Sequence, residues 1–136
     1  MSEKLVNILL VEDDEVDVMN VKRAFLKNNI KNPLFVAGNG VEALEMLEST
    51  IVPLPRIIIL DINMPKMNGI EFLKIVRETE KLKNISVFVM TTSNEDSDKI
   101  KAYDLNVAGY ILKPLSFEKF LMSVSTLKNY WQLCEM

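Results

Sequence analysis

Short apolar runs alternate with longer amphipathic ones along the whole chain. Ile8-Leu9-Leu10-Val11 is continuously apolar and is followed at once by polar residues, the pattern of a strand buried on both faces. From Asp14 to Asn28, Val18, Val21 and Phe25 recur at helical spacing, with Asp14 in the role of N-cap. Leu34 to Ala37 predicts a second strand after the stop at Asn32-Pro33, and Gly38-Asn39-Gly40 turns the chain into a helix carrying Val41, Leu44 and Leu47. Pro53 and Pro55 mark a loop between Ser49 and Arg56. Ile57-Ile58-Ile59-Leu60 is the most strongly β-favouring run and ends on Asp61. The stretch from Asn63 to Gly69 contains Pro65 and predicts a turn-rich loop. Ile70, Leu73 and Val76 mark a third helix, Ser86 to Met90 a fourth strand ending in Thr91-Thr92-Ser93, and Gly109 to Leu112 a fifth strand stopped by Lys113-Pro114. Between these strands, Asn94 to Asn106 is polar, with Ile100 and Leu105 as its main apolar anchors. A last helix starts near Ser116 and aligns Phe117, Phe120, Leu121, Val124, Leu127 and Trp131 on one stripe.

Five strand-then-helix units predict an α/β fold, a doubly wound five-stranded parallel sheet with helices on both faces. The 136 residues contain no repeat and no linker, so one domain over residues 1–136 is expected. In such sheets ligands gather at the carboxyl ends of the strands. Strand one ends there in Glu12-Asp13-Asp14, strand three in Asp61, strand four in Thr91 and strand five in Lys113.

Composition narrows the chemistry available to that set. Histidine is absent, which excludes Ser-His-Asp and Cys-His nucleophilic sites and imidazole-ligated zinc, and means that this chain cannot be a phosphohistidine partner. Sixteen basic against nineteen acidic side chains leave a net charge of -3, against bulk binding to nucleic acid or an anionic membrane. The lone Cys134 allows no internal disulfide and fits a reducing compartment. The apolar run before the acids is too short for a signal peptide or a membrane span. A cytoplasmic location is expected.

Each candidate also has a plainer explanation. Glu12, Asp13, Asp14, Glu15 and Asp17 crowd a helix start, where the helix dipole favours acids without any ligand. Asp61 can cap a turn, Thr91 is ordinary in a strand, and Lys113 before a proline can be a surface lysine. Together these readings fail, because carboxylates that converge repel one another unless a cation lies among them. A hard divalent cation, Mg2+, suits oxygen donors from Asp13 and Asp61, with Glu12 acting through water and the backbone carbonyl of Asn63 completing the set. The carboxylate of Asp61 can then act as a nucleophile toward a phosphoryl group, with Lys113 and the Thr91 hydroxyl on the phosphate oxygens.

The segments LVNILLVEDDE, LDINMPKMNG, FVMTTS and GYILKPLS, in that order and with this rhythm between them, resemble the receiver domain of two-component response regulators. The resemblance covers nearly the whole chain. It implies a flavodoxin-like sheet of order 2-1-3-4-5, phosphorylation of Asp61 by a sensor histidine kinase or phosphotransfer protein, and an acidic pocket of Glu12 and Asp13. It also implies a switch hydroxyl at Thr91, a phosphate-pairing Lys113, an aromatic switch residue at Tyr110 and a cis Lys113-Pro114 bond. Asn63, Thr92 and Ser93 flank the site, where they tune access of the hydrolytic water, and Thr92 joins the phosphate-binding set. A narrower likeness lies in MTTSNEDSD, AYDLN, GYILKP, Phe120, Trp131 and the Pro-bearing loop before Arg56. These are similar to single-domain regulators related to the cyanobacterial phytochrome response regulator, which implies a homodimer through the fourth helix, fifth strand and fifth helix, and a kinase that can be phytochrome-like. No output domain is expected after the last helix. Core packing is the plainer role for Tyr110, Phe120 and Trp131.

Three competitors stay open. An Asp-nucleophile phosphatase wants a general acid two residues on, where this chain has Asn63. A flavin carrier of the same fold wants a phosphate-cradling first loop, where this chain has acids. A receiver-like adaptor would never be phosphorylated.

Overall fold

The computed structural model describes residues 5–49, 53–62, 67, 69–91, 105–112 and 116–134. Five strands, β1 (Ile8–Val11), β2 (Leu34–Ala37), β3 (Ile57–Asp61), β4 (Ser86–Thr91) and β5 (Gly109–Leu112), form one sheet of order β2-β1-β3-β4-β5. Every neighbouring pair is parallel. The helices among the described residues are α1 (Glu15–Lys27), α2 (Gly40–Glu48), α3 (Gly69–Glu78) and α4 (Phe117–Cys134).

The alternation of side chains along a strand explains the unbroken apolar runs. Ile8 and Leu10, Ile57 and Ile59, and Phe88 and Met90 face a core shared with Val21 and Phe25 of α1 and with Phe120, Val124, Leu127 and Trp131 of α4. Leu9 and Val11, Ile58 and Leu60, and Val87 and Val89 face the opposite core, shared with Ala43 and Leu47 of α2 and Phe72, Leu73 and Val76 of α3. A strand covered on both faces has no polar side to alternate with.

Helix starts follow the local chemistry. Asp14 caps α1, its Oδ1 accepting from the N–H groups of Val16 at 2.8 Å and Asp17 at 3.2 Å. At α2, Asn39 Oδ1 accepts from Glu42 N–H at 2.9 Å as the N-cap, and Glu42 Oε2 accepts from Gly38 N–H, just before the cap, at 3.1 Å.

The expected apolar face of α2 needs correcting. Leu47 is buried and Leu44 packs partly buried against the same core, as expected, but Val41 is 42% exposed, while Gly40 and Ala43 are buried. The helix is rotated because its small residues admit close neighbours, and Met67 lies against Gly40 so closely that a Cβ there would meet its Sδ at 2.9 Å. Trp131 is 1% exposed, its ring 5.6 Å from that of Phe25, so its role is in the core.

Candidate functional site

The sheet doubles back after β2: β1 has β2 on one side and β3 on the other. Side chains at the carboxyl ends of β1 and β3 therefore border the crevice where strand order reverses. Register fixes who meets whom. Val11 is paired with Leu60, so the next residues, Glu12 and Asp61, fall side by side. Asp61 is paired with Met90, which places Thr91 one step further along β4. Thr91 is paired with Leu112.

Glu12 is 1% exposed, Asp61 3% and Thr91 2%, the buried polar and charged residues among those described; Asp13 is exposed. One carboxylate oxygen each from Glu12, Asp13 and Asp61 can be chosen so that all three lie within 4.8 Å of one another. Burying carboxylates this close together is costly without a compensating charge. Three oxygen donors, two at buried positions and one open to solvent, fit a hard divalent cation that keeps some of its water.

The backbone holds this cluster in place from several directions. Glu12 N–H donates to the Ala37 carbonyl at 3.0 Å and Ile62 N–H to the Met90 carbonyl at 3.2 Å, carrying the ladder one residue past the strands on both flanks. Glu12 Oε2 accepts from Asp14 N–H at 3.2 Å, which ties the acid to the start of α1. Gly69 N–H donates to the Ile62 carbonyl at 2.9 Å and closes the loop after β3. At Gly69 a Cβ would lie 2.7 Å from both the Asp61 carbonyl oxygen and Ile62 Cα. Only glycine lets α3 start this close to the backbone of Asp61.

The structure thus brings together Glu12, Asp13 and Asp61, with Thr91 at the end of the adjacent strand. Tyr110 lies on β5, half-buried against the core on the α2–α3 side. Asn63, Thr92, Ser93, Lys113 and the Lys113-Pro114 bond lie outside the described residues, as does most of the segment Asn94 to Asn106. Sequence reasoning missed Gly69 as a support of the site and the seat of Met67 on Gly40. The Met-Asn-Gly before a helix was the available signal for the first; the second joins residues far apart in the chain.

The response regulator receiver domain family matches residues 8–125. The chain is 39% identical over 127 residues to the probable methanogenesis regulatory protein FilR2 of Methanothrix harundinacea, across 91% of this chain and 82% of that protein. It is 33% identical over 128 residues to the response regulator Rcp1 of Synechocystis, across 91% and 87%. Among solved structures, the phosphorylated cyanobacterial phytochrome response regulator RcpA is similar with a TM-score of 0.87 and 30% identity, over 94% of each chain. The Mn2+-bound form of Rcp1 is similar with a TM-score of 0.84 and 32% identity, over 93% of this chain and 94% of that one.

Proposed function

The chain belongs to the response regulator receiver domain family, phospho-accepting signalling modules rather than enzymes, and from that premise we propose that it is a receiver that takes a phosphoryl group onto Asp61. The observation that carries the reading is the convergence of Glu12, Asp13 and Asp61 at the ends of β1 and β3. Asp13 and Asp61, with Glu12 and the Asn63 carbonyl, would hold Mg2+. The bound cation neutralises the charge of the pocket and of the incoming phosphoryl group. An Asp61 carboxylate oxygen attacks the phosphorus of a phosphohistidine on a sensor kinase or phosphotransfer protein. An acyl phosphate O–P bond forms as the N–P bond breaks, and the electron pair returns to the imidazole.

Thr91 and Thr92 donate hydroxyl hydrogen bonds to the new phosphate and Lys113 pairs with it. Phosphate added at Asp61 draws Thr91 inward, and Tyr110 rotates into the space left behind. The equilibrium between two existing arrangements shifts as a result. A face that includes β5 and α4 then engages a second copy of the chain or an output protein. An open cavity of about 370 Å3 on that face, bordered by Phe88, Gly109, Tyr110, Leu127 and Tyr130, supports this reading. The similarity to a cyanobacterial phytochrome response regulator supports a phytochrome-like kinase as the donor, and the cytoplasm is the compartment proposed for the exchange. No helix among the described residues is long and apolar enough to cross a membrane.

Intact mass after incubation with Mg2+ and acetyl phosphate tests the acceptor. One phosphoryl adduct is expected, absent in Asp61→Asn and absent with a chelator. A protein that neither labels nor shifts its Thr91 and Tyr110 resonances with beryllofluoride is an adaptor instead.

A further inference from the structure

Arg77, in the last turn of α3, spends its guanidinium on four backbone carbonyls. Nε donates to Leu105 at 2.6 Å, Nη1 to Lys83 and Ile85 at 2.8 Å each, and Nη2 to Asn106 at 2.9 Å. Lys83 and Ile85 lead into β4, while Leu105 and Asn106 lead into β5. One planar fork therefore grips the approaches to two neighbouring strands at the end of the sheet opposite the acidic pocket. Burial draws the guanidinium pKa below its usual value, the mark of a charge taken from water, and the four charge-assisted bonds offset that desolvation.

The strand that gains most from this grip is β5. It is four residues long and sits at the sheet edge with β4 as its single strand neighbour. Its approach bends through Asn106, in the left-handed region at φ 59°, between Leu105 and Val107, which pack inward on the α2–α3 core. Ala108 N–H then donates to the Val87 carbonyl at 2.8 Å, the first bond to β4. Two residues further on, Tyr110 is paired with Val89, two positions before Thr91. A short edge strand with one neighbour has a weak hold on its own register.

We propose that Arg77 is a positioning residue of the switch: by clasping the approaches to β4 and β5 it fixes where Tyr110 stands relative to Thr91. The part of this that concerns switching rests on the function proposed above. With the approaches to both strands clasped, β5 keeps its register on β4, so a displacement at Thr91 reaches Tyr110 through the paired strands rather than being lost in a slip of the edge strand. Lysine keeps the charge but has no planar fork, so it cannot reproduce the clasp.

Arg77→Lys and Arg77→Met, compared with the wild type by NMR, test the proposal. In the unphosphorylated protein, amide exchange from Ala108 to Ile111 is expected to accelerate about tenfold or more, against about twofold or less for Leu9 and Leu10 of β1. With Mg2+ and beryllofluoride, Thr91 is expected to shift at the same ligand concentration as in the wild type, within about twofold, while the Tyr110 response falls by about half or more. Acceleration spread evenly over β1 and β5 makes Arg77 a general stabiliser and overturns the proposal. So does a Tyr110 response of wild-type size in both variants. If wild-type Thr91 itself ignores beryllofluoride, the phosphorylation reading fails and takes the switching role with it, whereas the exchange comparison still decides whether Arg77 holds β5.

Discussion

Replacing Asp61 by asparagine should stabilise the metal-free protein. At 4.8 Å, the outer limit for the oxygens of Glu12, Asp13 and Asp61, two unit charges repel by about 3.5 kcal/mol at an effective dielectric of about 20 and by about 0.9 kcal/mol in bulk water. Asp61 and Glu12 are buried and Asp13 is exposed, so the two repulsions acting on Asp61 lie between these limits. Side-chain relaxation and the water that reaches the exposed Asp13 reduce their sum, which leaves a net relief of about 1–2 kcal/mol. For a chain of this length that is a rise in Tm of about 3–8 °C. The assay is thermal unfolding followed by circular dichroism, in EDTA and again in Mg2+. In EDTA, Asp61→Asn should melt above the wild type. Adding Mg2+ at ten times its Kd should stabilise the wild type by about 1.4 kcal/mol and the variant much less, which narrows or reverses the gap. A variant that melts below the wild type in EDTA, or an equal Mg2+ shift in both proteins, would refute the argument that the cluster is a repulsive site awaiting a cation.

Two further outcomes follow from contacts around the site and core. Gly69→Ala places a methyl group 2.7 Å from the main chain of Asp61 and Ile62; a stability loss of about 1–3 kcal/mol is expected, together with a weaker Mg2+ shift because the backbone of Asp61 must move. Urea unfolding in the presence and absence of Mg2+ measures both, and an unchanged Mg2+ shift would remove Gly69 from the supports of the site. Trp131→Ala should cost about 3–5 kcal/mol through the cavity left beside Phe25, read as a lower urea midpoint by circular dichroism; a loss below about 1 kcal/mol would mean that the ring is not a core element.

The elements were legible because their signals are local. Ile8–Val11, Leu34–Ala37 and Gly109–Leu112 coincide with strands, each apolar run being bounded by turn residues that end it. The strand tips were legible too, since Asp61 and Thr91 each follow directly on an apolar run. The face of α2 was not. Helical periodicity favours the larger side chain of Val41, whereas the packed helix leaves it exposed and turns Gly40 and Ala43 inward to admit Met67 and the core. Arg77 escaped for a related reason: an arginine in the last turn of a helix looks like an exposed charge complementing the dipole, and nothing nearby in the chain reveals the carbonyls of Leu105 and Asn106. Trp131 lay on the predicted stripe, but only the approach of Phe25 from α1 settles its place in the core.

By itself the sequence determined the alternation of strand and helix, the acids at the ends of the first and third strands, and the absence of histidine chemistry, because each of these is a property of neighbouring residues. Tertiary structure decided which tips meet. Glu12 and Asp61 are adjacent only because β3 crosses β1 and pairs on its far side, in a register that sets Val11 opposite Leu60. The hold of Gly69 on Asp61 and the clasp of Arg77 on β5 are likewise contacts between backbone segments, and main-chain atoms carry no residue-specific mark in a sequence.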